Sequence, residues 1–260
     1  MKNNNDKPKY PIKTLLNVSN VLDFFIKKGK PVTLTELSEG LNLYPSSIHR
    51  ILDTLNYLNY IDKMPDSENY QLGLKTLELG MAKLYQIDLI KEAMPFLAEL
   101  SRKYNENVYL ARLFGGMVFY QAKMEAFRTV KLDTHLGTRA CFNSTALGKV
   151  LIASLPKLER EKIYQNVGFH RRTKNTIINK KKFEKEINKV KKQGFAIDNE
   201  ENEEDIQCIA ASIRDYSGRV IAAVSISAPS YRFNVQKQTQ ISFDVIKCGQ
   251  EISKHIGYKI

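Results

Sequence analysis

Two groups of side chains in this 260-residue chain carry chemistry at a usable spacing. The first is Ser46-Ser47-Ile48-His49-Arg50, set among Ile51, Leu52 and Leu55. Helical periodicity buries the apolar members and leaves Ser46, Ser47, His49, Arg50 and Asp53 outward. Hydroxyls, an imidazole and a guanidinium on one helical face suit phosphate oxygens and base edges, and Arg50 can fork onto guanine or clamp a phosphate. Asp53 is the exception, because an ionised carboxylate only accepts. The second group lies far downstream. Ser144 is a candidate N-cap, which makes the amides of Thr145, Ala146 and Leu147 the unpaired donors of a helix N-terminus and a seat for a carboxylate. Over residues 224–227, alternation puts Ser225 and Ser227 on one face of a strand, and the neighbouring strand carries Cys208. Buried hydroxyls require partners.

The elements that must hold these groups are legible in the apolar pattern. Leu15, Leu16, Val18, Val21, Leu22, Phe25 and Ile26 form one face of a first helix from Ile12 to Lys27. Thr33 and Glu36 have capping-box spacing, so a short second helix starts there and runs to about Gly40, which breaks it. Pro45 opens a third helix whose buried face is Ile48, Ile51, Leu52, Leu55 and Leu58, and Asn59 suits the left-handed turn at its end. Residues 60–63 and 70–72, on either side of Met-Pro-Asp-Ser-Glu-Asn, read as a two-stranded wing. Three short helices and a hairpin make a winged helix-turn-helix, whose third helix enters the major groove. Thr35, Pro45, Ser46, Ser47, His49, Arg50 and Lys63 are its expected DNA-facing residues.

Beyond Gly73 the pattern predicts longer helices over 74–85, a connector, and 89–104. Strands 108–114 and 117–123 flank Gly115-Gly116, a hairpin signal. Helices follow over 144–154 and 182–193, strands over 206–213 and 219–227, and a closing helix over 235–256. The expected class is α+β: residues 1–11 a loose tail, 12–73 the winged helix-turn-helix, and 74–260 a linker helix with an antiparallel-sheet sensor domain.

Composition excludes several classes. The three cysteines, Cys141, Cys208 and Cys248, are scattered, which argues against a disulfide framework and a zinc site and points to a reducing cytoplasm. His49, His135, His170 and His255 show no metal-ligand spacing, and no apolar run reaches membrane length. Leu147-Gly148-Lys149 is not a phosphate loop, because Asn143 stands where the earlier glycine belongs and Val150 replaces the Ser or Thr. Net charge is +12, yet residues 12–73 carry 6 basic and 7 acidic side chains, while residues 157–192 carry 13 and 4. Bulk charge is therefore no evidence for DNA binding; the basic segment reads as a solvated surface, or as a partner for the acidic run 198–205 of another copy or for flanking DNA. A near-neutral first domain keeps a protein-interaction module open, and Cys208 as a thiolate nucleophile near Asp198 keeps a small enzyme open.

Five motifs in order carry a resemblance: Leu34-Thr35-Glu36-Leu37-Ser38, Leu43 to Leu52, Tyr70-Gln71-Leu72-Gly73, Thr145-Ala146-Leu147-Gly148-Lys149, and Cys208 to Ile213. The chain resembles the IclR family of bacterial transcription regulators over nearly its whole length. That resemblance implies a winged helix-turn-helix, a linker helix and a GAF-like effector domain, assembled as homodimers or homotetramers on double-stranded operator DNA. It implies action mostly as repressors and sometimes as activators, without cofactor or catalysis. It also places Thr145, Ala146, Leu147, Asp198, Cys208, Ser225 and Ser227 around a small-molecule effector, expected to be a carboxylic acid. The chain departs from the family where Cys141-Phe142-Asn143-Ser144 replaces Pro-Leu-His-Ala, at the expected pocket mouth, and where Ser212 replaces a proline.

Overall fold

A computed structural model describes residues 8–86, 88–128, 134–233 and 235–259. The expected tail over 1–11 lies for the most part outside them. The chain forms two compact units that divide after residue 87.

In the first unit, α1 (Lys13–Lys28) buries Val21 and Phe25 and ends at Gly29, whose φ of 63° is left-handed. The two-residue strand β1 (Val32–Thr33) leads into α2 (Leu34–Leu41), and the expected capping box is formed. The Glu36 amide donates to Thr33 Oγ1 at 3.2 Å, and the Thr33 amide to Glu36 Oε2 at 2.9 Å. Gly40 does not break α2, which continues to Leu41. It is instead a point of close approach, since a Cβ there would lie 2.3 Å from the Phe24 ring, and Asn42 (φ 51°) makes the turn. Helix α3 (Pro45–Tyr57) has its proline in the first turn and buries Ile48, Ile51, Leu52 and Leu55. Leu58, expected with them, is exposed because the helix stops before it, and Asn59 takes the left-handed conformation.

The wing strands are β2 (Ile61–Lys63) and β3 (Asn69–Leu72), and β1 adds a third strand that two residues are too few to signal, in the order β1-β3-β2. Helix α4 (Leu74–Gln86) starts against this sheet, its Lys75 amide donating to Asn59 O at 3.1 Å. The division after residue 87 counts α4 with the first unit; the sequence reading groups it, as a linker, with the second.

The second unit opens with α5 (Leu89–Tyr104), N-capped by Asp88, and the hairpin β4 (Asn107–Phe114) and β5 (Met117–Met124). Gly115 and Gly116 at its turn both have positive φ, 58° and 79°, as the hairpin signal requires. Next come β6 (Arg139–Ala140), α6 (Ala146–Ala153), α7 (Lys157–Val167) and α8 (Lys180–Gln193). Strands β7 (Phe195–Asn199), β8 (Ile206–Arg214) and β9 (Val220–Pro229) and helix α9 (Val235–His255) complete it. All six strands pair antiparallel in the order β6-β5-β4-β9-β8-β7. Helices α5 and α9 pack on one side of the sheet, α6 on the other with α8 behind it. This is the expected α+β, GAF-like architecture.

Helix α7 and strand β7 were not expected. The two buried residues of α7, Arg160 and Tyr164, are polar by type, and only half-buried Ile163 and Val167 pack beside them against the core, so its apolar stripe is too short to read. Both bond Glu184 on α8, Arg160 through Nε and Nη2 at 3.1 and 2.9 Å and Tyr164 at 2.7 Å. One residue of the basic segment, Arg160, is thus an internal brace, whereas Lys180 pairs with Glu161 at the surface.

Candidate functional site

The outward face of α3 is built as the periodicity requires. Ser46, His49 and Arg50 are exposed, Ser47 is half-buried, and Thr35 is exposed near the start of α2. Pro45 removes an amide that the first turn leaves unpaired in any case. The Arg50 guanidinium has no ion-pair partner among the described residues, whereas His49 Nδ1 lies 3.0 Å from Asp53 Oδ2 one turn on. That pair is exposed on both sides and is therefore weak. On the wing, Lys63 pairs with Glu68 at 3.3 Å; the pair is exposed, and such pairs contribute about 0–1 kcal/mol, so it yields readily to a phosphate. Tyr44, just before Pro45, is 82% exposed and was missed by a reading built on polar donors.

The second group converges in the second unit. Strand register sets Asp198 beside Cys208 and Cys208 beside Ser227, while Ser225 pairs with Ala210 on β8 and Tyr109 on β4. These side chains face α6, and one narrow pocket is lined by Thr145, Ala146, Leu147, Asp198, Cys208, Ser225 and Ser227, all seven of the expected residues. Tyr120, Asn202 and Ile206 complete the lining. Tyr120 was open to discovery, because the alternation Val118, Tyr120, Ala122 sends it inward; Asn202 sits in a loop that carries no pattern.

The helix start differs from expectation. Thr145, not Ser144, caps α6, accepting the Gly148 amide at 3.1 Å. Ser144 is drawn away by a tertiary contact, donating to Asn202 Oδ1 at 2.9 Å. The first-turn amides are therefore those of Ala146 and Leu147. Gly148 permits this entry: a Cβ there would meet the Phe142 carbonyl oxygen at 2.3 Å. The departures from family pattern are thus structural, since Asn143 Nδ2 donates to His170 O and Ile177 O at 3.0 Å each while Ser144 ties the mouth to Asn202.

Electrostatics in the pocket are set by burial. Asp198 is 1% exposed, and desolvation pushes its carboxyl up to about 7, assisted by the nearby Glu201 charge. The amides of Glu201 and Asn202, donating to Asp198 Oδ1 at 2.7 and 3.3 Å, and the Lys149 charge oppose that rise. Burial and Asp198 together push the Cys208 thiol well up, while Ser227 Oγ lies 3.1 Å from its sulfur. Thiol nucleophiles need the opposite shift, so the enzyme reading loses its nucleophile. Under the pocket, Lys149 is 1% exposed and donates to Ile197 O at 2.7 Å and Glu201 Oε1 at 2.5 Å. This buried ion pair, unread in the sequence, joins α6 to the turn that carries Asp198 and Asn202. No cluster of three or more His, Cys, Asp or Glu placed to hold a metal occurs among the described residues. No helix there is long and apolar enough to cross a membrane.

Comparison with known proteins matches both halves. Residues 14–65 fit the model of the IclR helix-turn-helix domain, and residues 81–254 that of the bacterial transcriptional regulator IclR C-terminal domain. The sequence is 33% identical to the HTH-type transcriptional regulator KdgR of Escherichia coli K12 over 253 residues, 97% of this chain and 96% of that protein. It is 26% identical to the HTH-type transcriptional repressor AllR of Salmonella typhi, covering 92% and 88% of the two chains. Among solved structures, the IclR of Thermotoga maritima superposes with a TM-score of 0.64 at 30% identity, over 94% of this chain and 99% of that one.

Proposed function

This chain belongs to the IclR family of bacterial transcriptional regulators, and on that premise we propose a cytoplasmic repressor that releases or tightens its grip on operator DNA when a small carboxylic acid fills the pocket. As a family member it is a DNA-binding regulator with a C-terminal effector domain. The observation that carries the finer reading is the convergence of the Ala146 and Leu147 amides, Asp198, Ser225 and Ser227 on one pocket. Two amides at a helix N-terminus stabilise an anion, and the hydroxyls and carboxyl supply the polar partners that orient a small acid. Repression is supported by the relative named as a repressor.

On the DNA side, Arg50, His49, Ser46 and Ser47 would read the major groove, with Thr35, Pro45 and Lys63 against the backbone. A symmetric homodimer or homotetramer would place two such helices on a palindromic operator, and half-site spacing would then make geometry a switch. An effector that prefers one arrangement shifts the population by its difference in affinity for the two, with no chemistry on the ligand. The test is a footprint of the purified protein on DNA upstream of its own gene and neighbours, with a panel of carboxylic acids. A protected palindrome whose occupancy one acid alters is the expected result. Protection that no acid alters would remove the carboxylate, and no protection at low salt would remove the operator at those sites.

A further inference from the structure

Helix α8 carries more charge than its packing uses. Its inner face, Phe183, Ile187 and Val190, is buried in the core of the second unit. Opposite that face stand Lys181, Lys185, Lys189 and Lys192, spaced i, i+4, i+8 and i+11 and all exposed, with exposed Lys182 and Lys191 beside them. Of the seven lysines on α8 only Lys180 has an ion-pair partner among the described residues, Glu161. The two acids of the helix do not offset the rest, because Glu184 is committed to Arg160 and Tyr164, and Glu186 is half-buried.

Much of this charge works against the helix. Like charges at i, i+4 destabilise it, and Lys181 and Lys182 occupy the first turn, where the dipole disfavours cations. A surface that needed only solvation would intersperse the two signs. A row of unpaired cations is instead matched by a row of anions. Over its 11-residue span the row is about 16 Å long, a length in which one strand of DNA presents about five phosphates. Lysine is a compact point charge that binds a phosphate without reading a base. The acidic run of another copy matches the row less well: Asp198 and Glu201 are buried, which leaves Glu203, Glu204 and Asp205 as its exposed acids.

We propose that the outer face of α8 is a second DNA-contacting surface, which holds the phosphate backbone beyond the operator half-sites without regard to sequence. This rests on the operator reading of α3, to which it adds affinity and salt dependence but no specificity.

The test uses the full-length protein and its Lys181→Gln/Lys185→Gln/Lys189→Gln/Lys192→Gln variant with two duplexes: the footprinted operator alone, and the same operator extended at both ends by arbitrary sequence. Anisotropy titrations over a range of NaCl should show wild type binding the longer duplex more tightly. Its slope of log K against log salt should be steeper there by about one for each phosphate engaged. In the variant that gain should vanish while affinity for the short duplex is unchanged, and arginine at the same four positions should retain it. The variant should melt at or above the wild-type temperature, since like-charge repulsion is relieved. If it folds poorly, Lys185→Gln/Lys189→Gln decides in its place, by losing about half of the gain in slope or none of it. A wild type that binds both duplexes equally, or a variant that keeps the gain, would overturn the proposal and leave the operator reading intact. A variant that keeps the gain but no longer self-associates in sedimentation would assign the row to another copy's acidic run. A wild type that binds neither duplex would defeat both readings.

Discussion

Asp198 and Arg50 show how differently single residues serve the two halves of the protein. Asp198 is an acid whose ionisation the fold opposes: unfolded it titrates near 3.8, folded near 7. Between those values the unfolded chain binds fewer protons, so stability falls as pH rises and the loss is complete above about pH 7. Asp198→Asn, which keeps an oxygen for the Glu201 and Asn202 amides, should remove this slope. Thermal melts of variant and wild type should diverge in the variant's favour from pH 4 to pH 8; a constant offset would show that Asp198 does not titrate there. Arg50 is the reverse case, an exposed cation with no ion-pair partner among the described residues. Arg50→Ala should therefore leave the melting temperature alone while weakening operator binding by about 1–3 kcal/mol. Fluorescence anisotropy checks it, and unchanged affinity in the folded variant would take Arg50 off the DNA.

At the scale of elements, the buried Lys149–Glu201 pair decides where the pocket wall stands. Removing one partner strands a charge in the interior, at a cost of about 3–5 kcal/mol, whereas replacing both with apolar residues is often close to neutral. Urea unfolding should thus find Lys149→Ala much less stable than wild type, with Lys149→Met/Glu201→Leu recovering most of the difference. A double variant as unstable as the single one would mean that packing, not charge, sets the cost. The elements that sequence reveals are those whose inner face is apolar: α3 through Ile48, Ile51, Leu52 and Leu55, and β4–β5 through alternation around Gly115-Gly116. What it hides depends on contacts between distant residues. The start of α6 moves from Ser144 to Thr145 because Ser144 bonds Asn202, 58 residues on. Helix α7 escapes because its most buried residues, Arg160 and Tyr164, are polar by type and bond Glu184, leaving only Ile163 and Val167 as apolar inner positions. Each pocket residue was individually ordinary in sequence, and only strand register brought Asp198, Cys208 and Ser227 side by side.

In the whole molecule two units meet different ligands. Neither unit explains regulation alone, since a switch requires that the acid bind the two operator-binding arrangements unequally. The coupling is reciprocal, so operator DNA must change affinity for the acid by the same factor that the acid changes affinity for the operator. Measuring both affinities checks the closure of that cycle. The most direct test of the central claim is an anisotropy titration of the footprinted operator with wild type and with Ser225→Ala/Ser227→Ala, each with and without the active acid. Equal operator affinity for the two proteins without acid, and an acid-induced shift in wild type alone, are the expected results. An equal shift in both would place the effector elsewhere and contradict that claim.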